Sequence, residues 1–208
     1  MEQQFQYYAF ISYKREDEKW AKWLQDRLRW YKLPSKLCRQ ITRLPKKVWP
    51  VFRDNTDLDS GRLEENIRHE LGRSHYLIVI CSPEAARSPW VGKEVKYFAT
   101  LHGADKIIPF VVSGIPYSND IETECIHEQI KAISQEELLA INVREEGIGS
   151  FAMKKKRAFI RVVARLLDIK FNTLWQPYER ILRIRKWSTG IGVVFILIRF
   201  TLLSRKSG

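Results

Sequence analysis

The sequence predicts an α/β fold, a parallel sheet with helices on both faces, and three observations carry that prediction. Short β-branched and aromatic runs alternate with stretches of helical periodicity along the chain. Two of the runs, YLIVIC at 76–81 and IIPFVV at 107–112, are apolar on both faces, as strands buried in a parallel sheet are. Between them, Ser88 and Pro89 supply an N-cap and a first helical residue, the start signal of a helix.

The elements follow in order. YYAFISY (7–13) is a first strand, and Trp20, Trp23, Leu24 and Leu28 then recur at helical spacing. A basic connector over 32–47 carries Lys32, Lys36, Arg39, Arg43, Lys46 and Lys47 with Pro34 and Pro45, and reads as a solvated surface. VWPVF resumes an extended run. After the polar loop RDNTDLDSG, Leu63, Ile67 and Leu71 form one stripe of a helix that leads into YLIVIC. The helix opened by Ser88 runs through Trp90, Val91, Val95, Phe98 and Leu101 to the IIPFVV strand. A helix near 121–133, a short strand LLAINV (138–143) and a helix over 151–168 complete the series. The simplest closure is five parallel strands in the flavodoxin-like order, which places a ligand outside the carboxyl ends of the first and third strands. The loops at that edge are YKRED, RDNTDLDSG and SPEAARSPW, the most polar in the domain.

The chain has 208 residues, 45% of them apolar and 29% charged, which accommodates one ordinary domain plus an appendage. Its net charge of +12 is not spread evenly: residues 1–153 hold 22 Lys+Arg against 22 Asp+Glu, and residues 154–208 hold 14 against 2. A neutral domain with a basic end beside an apolar run points to a membrane-proximal flank and away from a nucleic-acid-binding face. The expected division is a domain over 1–169, a basic juxtamembrane helix over 170–186, a membrane helix over 187–203 and a short basic tail over 204–208. The apolar segment is 17 residues long. As a helix it covers about 25 Å, against roughly 30 Å of hydrocarbon. Arg199 lies past its centre, where the guanidinium can snorkel toward Arg205 and Lys206. The heavier basic flank at Arg180, Arg183, Arg185 and Lys186 places the domain in the cytoplasm of a single-pass membrane protein. An in-plane amphipathic helix or a helix packed in an oligomer are the alternatives for this segment. The start MEQQFQYYAF lacks a secretory layout, and the three scattered cysteines, Cys38, Cys81 and Cys125, suit a reduced compartment.

Several chemistries fail on their motifs. Neither G-x-x-x-x-G-K nor G-x-G-x-x-G occurs, and no G-x-S-x-G surrounds Ser82. His127 and Glu128 are followed by Gln129, Ile130 and Lys131, so the second histidine of a zinc motif is missing, and His69, His75 and His102 have no ligand spacing. DNTDLDSG matches no register of a calcium loop. No metal and no resident cofactor is expected.

What remains is SPWVGKEV (88–95), where Trp90 and Glu94 stand four apart and share a helix face. An aromatic wall beside an acid suits a cationic or planar ligand, although spacing alone does not separate this from a core tryptophan beside a solvated glutamate. These residues, with two other stretches, resemble a known family. YYAFISYKRED resembles the first conserved box of Toll/interleukin-1 receptor (TIR) domains, VFRDNTDLDSG resembles the second box and its loop, and SPWVGKEV resembles the helix bearing the glutamate of NAD-cleaving members. The order is the family order, the matches span residues 7 to about 115, and the pattern is most similar to prokaryotic TIR proteins. Where receptor-type loops have proline and glycine, this chain has Asp59, Ser60 and Gly61, which weakens a purely adaptor reading.

The resemblance implies cleavage of NAD+ between nicotinamide and ribose, with NAD+ as substrate. It gives Glu94 the catalytic role and places Trp90 in the pocket wall. Ser12, Tyr13, Lys14 and Arg15 after the first strand, and Arg53, Asp54 and Asp57 in the second-box loop, are the other candidate substrate contacts. It also implies self-association through TIR domains and a defence-signalling or NAD-depleting role. The reading from a different class is a non-catalytic adaptor that recruits other TIR domains.

Overall fold

The computed structural model describes residues 5–42, 44–53, 61–133, 139–144 and 149–176. A parallel sheet is built from β1 (Tyr7–Ser12), β2 (Val51–Arg53), β3 (Ser74–Cys81), β4 (Ile107–Val111) and β5 (Ile141–Asn142), in the order β2-β1-β3-β4-β5. This is the flavodoxin-like order, so the chain reverses its direction of winding between β1 and β3 and leaves a crevice at their carboxyl ends. Ser12 is registered against Val79 there.

Burial explains why these runs became strands. Every residue of β4 is buried, and in β3 all are except half-buried His75. A segment with no polar face has no stable place except between two helical layers. On one side lie α3 (Gly61–Gly72), α5 (Pro89–His102) and α6 (Glu128–Ile133), which bring Leu71, Val95, Phe98 and Ile130 onto Phe10, Leu77 and Val111. On the other side Trp23 of α1 (Glu18–Trp30) stacks on Phe110 and meets Phe159 of α7 (Phe151–Leu166) edge-on. Lys155 of α7 sits between two indole rings, 4.2 Å from the centre of Trp20 and 4.1 Å from that of Trp23.

Three expectations change. The basic connector is not merely a solvated surface: it forms α2 (Ser35–Gln40) and buries Leu33, Leu37 and Leu44. The helix expected near 121–133 is confined to α6. Ahead of it Asp120 accepts from Glu122 N and Thr123 Oγ1, while Glu124 accepts from Tyr117 N and Ile126 N. Side-chain acceptors take the amides a helix would need, so the segment turns instead. Of the strand expected over 138–143, the described residues form a strand at Ile141–Asn142, and Leu138 lies outside the described residues.

Chain packing separates two units, Met1–Asp168 and Ile169–Gly208. In the second, residues 171–176 are helical, with Phe171 and Trp175 stacked at 5.5 Å. Among the described residues no helix is long and apolar enough to cross a membrane. The membrane helix expected over 187–203 and the tail over 204–208 lie outside the described residues.

Candidate active site at the carboxyl edge of the sheet

Two Ser-Pro pairs punctuate the chain after β3. Ser82 caps the short α4 (Pro83–Ala86) by accepting from Ala85 N, and Ser88 caps α5 by accepting from Val91 N, with proline at the first helical position each time. Caps of this kind start a helix where the preceding strand ends. They bring the first turns of α5, with Trp90 and Glu94, to the crevice edge.

Ser12, buried at the carboxyl end of β1, donates its hydroxyl to Glu94 Oε2 at 2.5 Å. The bond joins residues 82 apart and fixes a half-buried acid at the edge where the sheet order reverses. Trp90, one turn earlier, is 38% exposed, so it is not a core side chain, and Lys93 Nζ lies 4.6 Å from its ring centre. An exposed indole and a held carboxylate on one helical face form a wall for a flat or cationic group.

The other candidates divide. Tyr13 is bound to Arg53: the guanidinium donates to the phenol oxygen at 3.1 Å and lies 5.7 Å from the ring centre. Arg53 also donates to Gln25 Oε1 and Glu18 Oε1, and its side chain is only 8% exposed. This residue therefore ties the end of β2 to α1 and to the β1 loop. Lys14 is half-buried at the start of the 3-10 turn Arg15–Asp17, and Arg15 is exposed on that turn. Asp54 and Asp57 lie outside the described residues.

Sequence reasoning missed a second serine–carboxylate pair at this edge. Asp17, buried on the β1 loop, accepts from Ser82 Oγ at 2.5 Å. Burial pushes the Asp17 carboxyl up from its ordinary range, and the Ser82 hydrogen bond opposes that shift. The repeated Ser-Pro step was the available signal for Ser82. Nothing local marked Asp17, whose partner is 65 residues away.

A groove of about 640 Å³ runs between α5 and the 121–131 segment, lined by Arg87, Gly92, Lys96, Ile126, His127 and Lys131 among others. Neither Glu94 nor Trp90 lines it. The chemistry of a held carboxylate at the topological switch, rather than the size of a concavity, identifies the site. Among the described residues no cluster of histidine, cysteine and carboxylate side chains is placed to hold a metal ion.

The family-level comparison agrees with this architecture. A family model for the TIR domain matches residues 9–146. The NAD(+) hydrolase ApTIR of Actinoplanes sp. strain SE50/110 is 36% identical over 110 residues, covering 52% of this chain and 14% of that protein. The chain thus spans about a seventh of the length of the curated relative it matches. Among solved structures, the TIR domains of the activated Roq1 resistosome recognising the effector XopQ superpose with a TM-score of 0.48 at 14% identity, over 74% of this chain and 98% of that one. A prokaryotic SEFIR domain gives 0.39 at 18% identity, over 73% and 90%. With the family model matched from the first strand through the fifth, the chain belongs to the TIR domain family.

Proposed function

We propose that this TIR domain cleaves NAD+ at the bond between nicotinamide and ribose, with Glu94 as the catalytic carboxylate. The observation that carries the reading is the Ser12–Glu94 hydrogen bond, which holds an acid at the carboxyl edge between β1 and β3. Similarity to a relative named as an NAD(+) hydrolase supports it.

The chemistry suits this sparse equipment. Breaking the C1′–N bond sends its electron pair to the pyridinium nitrogen, so nicotinamide departs neutral and needs no general acid. The ribose is left as an oxocarbenium-like cation, which a nearby carboxylate stabilises while it orients the hydroxyls. Water or a second nucleophile then bonds to C1′ and loses a proton, giving a linear or a cyclised product. Ser12 keeps the carboxylate aimed before the charge develops, and preorganisation of that kind is the larger part of such catalysis. The exposed face of Trp90 is the surface on which a base stacks.

Copies of the chain associate through their TIR domains, and activity rises when they are brought together. The apolar segment 187–203 with its basic flank tethers the domain to the cytoplasmic side of a membrane, where NAD+ loss or a signalling product serves a defence response. The support for the tether is sequence alone.

The test is NAD+ consumption with product chromatography on the full chain in vesicles, beside Glu94→Ala. Glu94-dependent nicotinamide release is expected, with a fall of at least about a hundredfold in the variant. A folded, self-associating protein that never releases nicotinamide would favour the adaptor reading instead.

A further inference from the structure

We propose that His127 is a positioning residue for the helix that presents Trp90 and Glu94, acting as a neutral ring that holds the first turn of α5 in place. The proposal rests on the NAD+-cleavage reading of Glu94.

His127 is 7% exposed and bonded at both ring nitrogens. Nδ1 lies 3.0 Å from the backbone nitrogen of Gln129, and an amide N–H can only donate, so Nδ1 accepts. The ring proton is then on Nε2, which donates to the Ser88 carbonyl at 3.1 Å. That same carbonyl accepts the Gly92 N–H at 3.1 Å, and the Ser88 hydroxyl caps Val91 N. One carbonyl therefore joins the first turn of α5 to the start of α6.

The ring also presses on the helix backbone. A Cβ at position 92 would lie 2.5 Å from His127 Cε1 and 2.7 Å from Nε2, so only glycine admits this approach. Gly92 stands midway between Trp90 and Glu94. A shift at this contact moves both side chains, and misplacement of a reacting group by about 1 Å costs on the order of a hundredfold in rate.

The clamp depends on the neutral ring. A proton on Nδ1 would face the Gln129 N–H, donor against donor, and the contact would open. Burial holds the His127 pKa below its ordinary value, opposed by its bond to the Ser88 carbonyl and by Glu128. The charged groups facing the same groove are Arg87, Lys93 and Lys96 on the α4–α5 side, and Glu124, Glu128 and Lys131 on the α6 side. Protonation, and with it loss of turnover, sets in as the pH falls below the ordinary histidine range.

The experiment uses the full chain and the variants His127→Gln, His127→Ala, Gly92→Ala and Gly92→Ala/His127→Ala. Nicotinamide release is followed from about pH 4.5 to 8, which extends below the ordinary histidine window, and hydrogen exchange is read on the peptide spanning 88–95. Glutamine keeps a donor for the Ser88 carbonyl and has no proton to gain. His127→Gln is expected to keep activity within about threefold at neutral pH and to lose the acid limb of the wild-type profile. His127→Ala is expected to lose about tenfold or more in kcat, with KM raised by the displaced Trp90, and to exchange faster at 88–95. Gly92→Ala is expected to be harmful in the wild type and nearly neutral in the His127→Ala background, because the ring it strikes is gone.

An acid limb in His127→Gln matching that of the wild type overturns the proposal, as does full kcat in His127→Ala. If the wild type releases no nicotinamide, the cleavage reading fails by itself. Exchange at 88–95 then decides the clamp: faster in His127→Ala supports it, and unchanged overturns it.

Discussion

Arg53, a candidate substrate contact, also has a structural role within the fold. It was a candidate substrate contact by its place in the second box, yet its guanidinium is occupied by Tyr13, Gln25 and Glu18. The Glu18 side chain is 55% exposed, so that ion pair contributes little in water. The part-buried bonds to Tyr13 and Gln25 carry the effect. Arg53→Ala is expected to lose about 1–3 kcal/mol of stability in denaturant melts. A variant with unchanged stability and a raised KM for NAD+ would return Arg53 to the substrate. Sequence spacing could not make this distinction, because Arg53 and Tyr13 stand 40 positions apart and meet only once β1 and β2 pair. That Glu94 and Trp90 share a helix face was legible because four residues make about one turn; a role for them was not, since the spacing leaves a core tryptophan beside a solvated glutamate open. The partner that fixes Glu94, Ser12, was visible as a candidate but its bond was not.

At the scale of elements, the two Ser-Pro caps do unequal amounts of work. Ser88 accepts from Val91 N at 3.5 Å, a weak bond, whereas Ser82 accepts from Ala85 N at 3.0 Å and also donates to buried Asp17. Ser88→Ala is expected to cost about 1 kcal/mol as a lost cap. Ser82→Ala should cost about 2–4 kcal/mol, the cap plus a buried carboxylate left without its hydroxyl. Equal losses in paired thermal melts would show that the Asp17 bond contributes nothing. The start of α5 was readable from Ser88 and Pro89 alone, since a cap is a local signal. The expected helix over 121–133 was not, because its first half is claimed by the acceptors Asp120 and Glu124. Their competition depends on Tyr117 and Ser118 folding back, which no helical periodicity records. The connector misled for a related reason. Lys32, Lys36, Arg39, Lys46 and Lys47 stay at the surface while Leu33, Leu37 and Leu44 turn inward, and the charge density hid the apolar positions.

Across the whole molecule, burial lowers the pKa of His75, His102 and His127 alike. Each is favoured neutral in the folded chain, so the unfolded chain binds protons more readily below its ordinary value of 6.5. Stability is therefore fully present above that pH and is lost as pH falls through it toward the lowered folded values. Asp17, raised by burial, acts in the opposite direction and over a more acidic window, starting from its unfolded value of 3.8. The expected result is a Tm that is level above about pH 7 and declines toward pH 5.5. A Tm that rises on acidification through this range would contradict it. The same scale explains why the architecture was the most legible feature. β3 and β4 are apolar on both faces, and only a sheet covered on both sides hides them. The site was less legible because it is assembled by bonds spanning 82, 65 and 39 residues.

The most direct measurement is the rate of nicotinamide release by the full chain beside Glu94→Gln, an isostere that still accepts the Ser12 hydroxyl but carries no negative charge. A loss of at least about a hundredfold with an unchanged melting profile is predicted, because the charge is what stabilises the ribosyl cation. Release at the wild-type rate in Glu94→Gln would contradict the account.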